Sequence, residues 1–81
     1  MHETHLLNEI LAMVRQYLKG KEVKEVKRIK IKVGVLKMVT PEGLQETFKM
    51  LPKDDCFNST KLEVEIMPEN ELVIEEVEII E

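Results

Sequence analysis

One cysteine, Cys56, stands among 81 residues. A lone cysteine excludes an internal disulfide and any paired-cysteine metal knuckle. Tryptophan is absent, and Tyr17, Phe48 and Phe57 are the only aromatic residues. Positive charge is in deficit, with a formal net charge of −4. A nucleic-acid binder would need a basic face and usually stacking aromatics, so that class is excluded. No apolar run approaches the roughly 20 residues that cross a bilayer, and no secretory hydrophobic region opens the chain, so no membrane association is expected. A reducing cytoplasm is the expected location. There is no Ser/His/Asp set, no glycine-rich phosphate loop and no evident carboxylate pair in a cleft, so the chain does not read as an enzyme.

What is present is one small domain, residues 1–81. It is 43% hydrophobic and 35% charged, and its charge is unevenly spread. Residues 1–50 hold ten Lys/Arg and six Asp/Glu, whereas residues 51–81 hold two Lys and ten Asp/Glu. The two parts are expected to fold with opposite charges facing across a sheet.

Hydrophobic periodicity places the elements. Leu6, Leu7, Ile10, Leu11, Val14, Tyr17 and Leu18 recur at helical spacing and predict an amphipathic helix over 5–19, with Gly20 as its C-terminal cap. Glu3 or Thr4 lies where a helix N-terminus favours an acceptor. Residues 26–36 alternate, Ile29, Ile31, Val33 and Val35 against Arg28, Lys30 and Lys32, which predicts a half-buried strand. Gly34 inside it predicts a bulge or a close backbone approach. Thr40-Pro41-Glu42 is a helix start, with a hydroxyl cap, proline in the first turn and a carboxylate at the positive end. Leu44, Phe48 and Leu51 mark that helix's apolar face, and Pro52 stops it.

Residues 53–60 read as a polar loop. Leu62, Val64 and Ile66 alternate with Lys61, Glu63 and Glu65 as a second strand. Residues 72–80 form a third, and the turn at 68–71 predicts that these two pair as a hairpin. Leu72 and Ile74 share one parity and Val77 and Ile79 the other, so a bulge at Glu75-Glu76 is expected. The fold class is α+β, two helices packed on one face of a three-stranded mixed β-sheet in the order α-β-α-β-β.

The terminus Met1-His2-Glu3 carries the most chemistry. A histidine at position 2 can turn its imidazole, its own backbone nitrogen and the α-amine of Met1 onto one metal ion. Planar nitrogen coordination suits Ni(II) and Cu(II) rather than tetrahedral zinc. Glu3 offers its carboxylate or its backbone nitrogen as a fourth donor, or else an outer contact that holds the terminus in place. His5 either completes the coordination or is a helix-surface histidine.

Taken together, the Met1-His2-Glu3 start, the helix that follows and the strand Ile29-Lys30-Ile31-Lys32-Val33-Gly34 resemble the nickel-binding domain of the HypA family. The likeness continues through Val39-Thr40-Pro41-Glu42 with Leu44 and Phe48, Leu62-Glu63-Val64-Glu65 with Pro68, and the closing Ile74-Glu75-Glu76-Val77-Glu78-Ile79. HypA proteins are metallochaperones for nickel insertion into [NiFe]-hydrogenase and, in some bacteria, urease. The resemblance implies a Ni(II) cargo with His2 indispensable and Glu3 next in importance. It also implies a HypB-like GTPase and a hydrogenase large subunit as partners. The family's zinc domain, with two CxxC pairs between the last two strands, has no counterpart here. A short hairpin turn near 67–71 closes the gap, and no structural zinc is expected. The competing reading is a non-catalytic interaction module that keeps the scaffold without metal delivery. Such a module would dock a partner, or a second copy as a homodimer, through an exposed sheet edge.

Overall fold

The structure is a computed structural model that describes residues 2–81, without the side chains of His2 and Leu36. Helix α1 spans His2–Leu18 and strand β1 spans Glu25–Gly34. Helix α2 spans Pro41–Met50, β2 spans Lys61–Met67 and β3 spans Leu72–Ile80. Short 3-10 turns occupy Val35–Lys37 and Asp55–Phe57. This is the expected α+β order. α1 begins three residues earlier than the start expected from its apolar stripe, because polar residues of a first turn carry no periodic signal. Gly20 closes it at φ 83°, a left-handed conformation open to glycine without steric cost.

The core is one cluster. Leu6, Leu7, Ile10, Leu11 and Val14 of α1 and Leu44 and Phe48 of α2 pack onto Val26, Ile29, Ile31 and Val33 of β1. Tyr17, expected in the α1 stripe, is 56% exposed. Val35, expected to face inward, is exposed because β1 ends at Gly34 and the chain turns into a 3-10 segment. Phe57 is fully buried although it lies in the stretch read as a polar loop. A single apolar residue has no period to reveal it.

The sheet order is β2-β1-β3, with β2 parallel and β3 antiparallel to β1. The hairpin expected between β2 and β3 is therefore not formed: β1 lies between them. Charge explains the difference. Pairing β2 directly with β3 would set Glu63 and Glu65 among Glu75, Glu76 and Glu78, and like charges on facing strands are destabilising. β1 instead carries Arg28, Lys30 and Lys32 between the two acidic strands. Arg28 reaches Glu63 at 3.0 Å and Glu78 at 3.3 Å and also pairs with Glu76. Lys32 lies 2.9 Å from Glu75, and Lys30 lies 3.6 Å from it.

Two register shifts keep the apolar parity inward. In β3 the pairing passes from Lys30 with Glu76 to Ile31 with Ile74, leaving Glu75 as the extra residue expected of a bulge. In β1 the pairing passes from Val26 with Ile79 to Arg28 with Glu78, leaving Lys27 extra. The connection 68–71 must cross the end of β1. Gly34 permits this: its N–H donates to Glu71 O at 2.7 Å, and a Cβ built on Gly34 would overlap the Glu69 carbonyl outright.

Candidate functional site

α1 starts at His2, so the motif's second and third residues lie in a helical turn. Met1 and the His2 side chain fall outside the described residues, and the α-amine and imidazole of the expected chelate fall there with them. Glu3 is half-buried, and His5 is exposed on the same helix. Among the described residues, no side-chain hydrogen bond or ion pair involves Glu3 or His5. No group of three or more His, Cys, Asp or Glu that could hold a metal occurs among them either.

The neighbour of this turn is the start of α2. Thr40 caps that helix, its hydroxyl accepting from Gly43 N at 3.0 Å. A Cβ built on Gly43 would stand 3.5 Å from Glu3 Oε2 and 3.9 Å from Glu3 Cγ. Glu3 thus lies across the first turn of α2, in the field of its positive end, where a carboxylate is favoured. Nothing periodic in the sequence pairs residue 3 with residue 43. The available signal was a glycine in the first turn of a well-capped helix, a position with no need of one.

Cys56 behaves as a structural thiol. It is half-buried in the wall of a groove of about 560 Å³ between α1 and the 54–57 segment. Burial pushes its pKa up, and the charge of Asp54 pushes it further. A protonated thiol is neither a nucleophile nor a metal ligand. The groove's rim is tied by Arg15 Nε donating to Asp54 Oδ2 at 2.9 Å.

An α+β scaffold whose first helix begins at His2 and carries Glu3 in its first turn is the class the fold and sequence define. Comparison with known proteins narrows it. The family model for "Hydrogenase/urease nickel incorporation, metallochaperone, hypA" matches residues 1–79. The chain belongs to the HypA family. A hydrogenase maturation factor HypA from Moorella thermoacetica is 35% identical over 68 residues, covering 84% of this chain and 60% of that protein. One from Archaeoglobus fulgidus is 30% identical over 66 residues, covering 82% and 60%. One from Lawsonia intracellularis is 29% identical over 68 residues, covering 84% and 58%. The chain therefore matches over only about 60% of the length of these relatives. No solved structure matches.

Proposed function

We propose that this chain is a nickel carrier of the metallochaperone type that holds Ni(II) through its leading residues. The observation that carries the reading is the family match, which runs from residue 1 and so takes in Met1-His2-Glu3. The donors are the Met1 α-amine, the His2 backbone nitrogen and the His2 imidazole. Three nitrogens in a plane leave a fourth position open, which suits a protein that must pass its metal on. Metal uptake displaces protons from the amine, the imidazole and the ligating backbone nitrogen, so affinity rises with pH. His5 is the nearest further imidazole and the natural transient donor.

On this reading the protein performs no catalysis. It works in the cytoplasm with a HypB-like GTPase and delivers to a hydrogenase large subunit. It does so without structural zinc, because the segment 67–71 closes the sheet where the family's zinc domain would enter and the chain has no CxxC pair.

The test is Ni(II) titration of protein whose leading residue is Met1 against the same protein with one residue added before it. The extension should weaken binding by more than about 100-fold, because it removes a ligand outright. The far-UV circular dichroism should be unchanged. Equal affinities would overturn the terminal chelate.

A further inference from the structure

We propose that the outer edge of β3 is a docking edge for a basic strand of a partner protein, one that alternates apolar residues with Lys or Arg. The edge, the groove beside it and the charges along it point the same way, and none of them involves the leading residues.

The sheet has two outer strands, β2 and β3, and they are finished differently. β2 is packed by α2, and Gln45 Nε2 donates to the Leu62 carbonyl at 2.9 Å, so a helix side chain already occupies part of its backbone. Among the described residues β3 has no such cover: no helix packs broadly on it and no side chain bonds to its backbone. Its inward residues Leu72, Ile74, Val77 and Ile79 stay half-buried, whereas those of β1 are fully buried. The exposed Met13 and Tyr17 of α1 line, with Ile74 and Val77, a groove of about 290 Å³ beside the strand.

An outer strand presents unpaired N–H and C=O groups, and proteins blunt such edges with proline, lysine or a bulge. β3 has no proline and no lysine. Its one bulge is at Glu75, which leaves residues 76–80 as an unbroken run.

Charge decides what can lie there. β3 carries Glu75, Glu76 and Glu78 and no base. A second copy could offer only its own outer strands: β3 with the same three carboxylates, or β2, where Glu63 and Glu65 outnumber Lys61. Either sets like charges on facing strands, the arrangement that this sheet avoids. On its inner side β3 has taken β1, which is apolar and basic by turns. Glu76 and Glu78 both pair with Arg28 yet remain about half exposed, and a carboxylate has acceptor positions for more than one donor. A partner strand of the β1 pattern would set its apolar residues beside Met13 and Tyr17 and its cations beside Glu76 and Glu78. Main-chain hydrogen bonds would supply affinity, and the alternation would fix which face turns inward.

The probe is a peptide with blocked ends copied from Arg28 to Val33 of β1. Its control keeps the apolar residues and carries glutamate at the basic positions. Amide hydrogen exchange is followed on the full chain. With the basic peptide, the β3 amides that point away from β1 should exchange several-fold more slowly, while β2 amides are unchanged. The acidic peptide should protect nothing. Glu76→Gln combined with Glu78→Gln should weaken binding of the basic peptide roughly tenfold. Added salt should weaken it in the native chain as well. Met13→Ala combined with Tyr17→Ala should weaken it several-fold while the β1 amides keep their protection. The contrast between the two peptides needs no variant, so it decides the matter even where a variant folds poorly. Equal protection by both peptides, protection at β2 instead of β3, or none from either would overturn the docking edge. So would sedimentation and exchange showing that the chain alone pairs through β3, which would make a second copy the occupant.

Discussion

The far face of the sheet and the first turn of α1 are both polar, and they use their polar groups in opposite ways. On the sheet face the charges are committed to one another: Arg28 holds Glu63, Glu76 and Glu78, and Glu75 lies between Lys30 and Lys32. At the start of α1, the side chains of Glu3 and His5 make no hydrogen bond or ion pair among the described residues. Groups that satisfy each other specify the fold, here by keeping the two acidic strands on either side of a basic one. Side chains that make no such bonds take no part in specifying the fold, and Glu3 and His5 are of that kind among the described residues. The comparison therefore separates the groups that hold the fold from those to which the proposed function assigns the metal.

That separation can be attacked from the stability side. The largest effect is expected at Gly34. Alanine there would drive its Cβ into the Glu69 carbonyl, a collision with backbone rather than with a flexible side chain. The chain crossing must move, and the expected cost is about 3 kcal/mol or more, read from urea unfolding midpoints. Nickel affinity per folded molecule should not change. A smaller loss is expected for Thr40→Ala, which removes the α2 cap and should cost about 1 kcal/mol. This variant sharpens the comparison because Thr40 belongs to α2 yet lies beside Glu3, so a slight fall in nickel affinity is expected with the loss of stability.

The smallest effect concerns pH. The hydrogen bond from Lys32 holds the Glu75 carboxyl below its ordinary 4.5, with the charges of Lys32 and Lys30 adding to it against the opposing effect of burial. A carboxyl depressed in the folded state contributes stability that is present above 4.5 and is lost as pH falls through the lowered value. Lys32→Met should therefore lower the urea midpoint at neutral pH, and the gap to the native protein should close well below pH 4.5. Added salt should narrow the gap in the same way, since these groups are exposed. Nickel uptake near neutral pH should be indifferent to this change.

Much of the fold was legible because it rests on local rules. Alternation gave β1, the Thr40-Pro41 start gave α2, and the parity slip at Glu75-Glu76 gave the bulge. Gly34 announced a close backbone approach before its partner was known. Strand order was not legible from the turn at 68–71, because a short connection favours a hairpin and only the charges of all three strands together exclude one. Phe57 escaped notice because one buried residue in a polar stretch has no periodicity. At the candidate site, Met1-His2-Glu3 and His5 were proposed from the sequence alone, since a terminal chelate would be a matter of covalent adjacency. The contact between Glu3 and Gly43 could not, since it depends on how two helices separated by a strand come to rest.

The central claim is that the leading amine and the adjacent imidazole grip Ni(II) together while the rest of the domain only holds them. Its most direct test is calorimetry and absorption spectroscopy of Ni(II) uptake by the native chain and by His2→Ala at neutral pH. The account predicts that the variant keeps its urea midpoint but loses both the binding heat and the planar-nitrogen absorption band. Undiminished uptake by the variant, with the same spectrum, would contradict it.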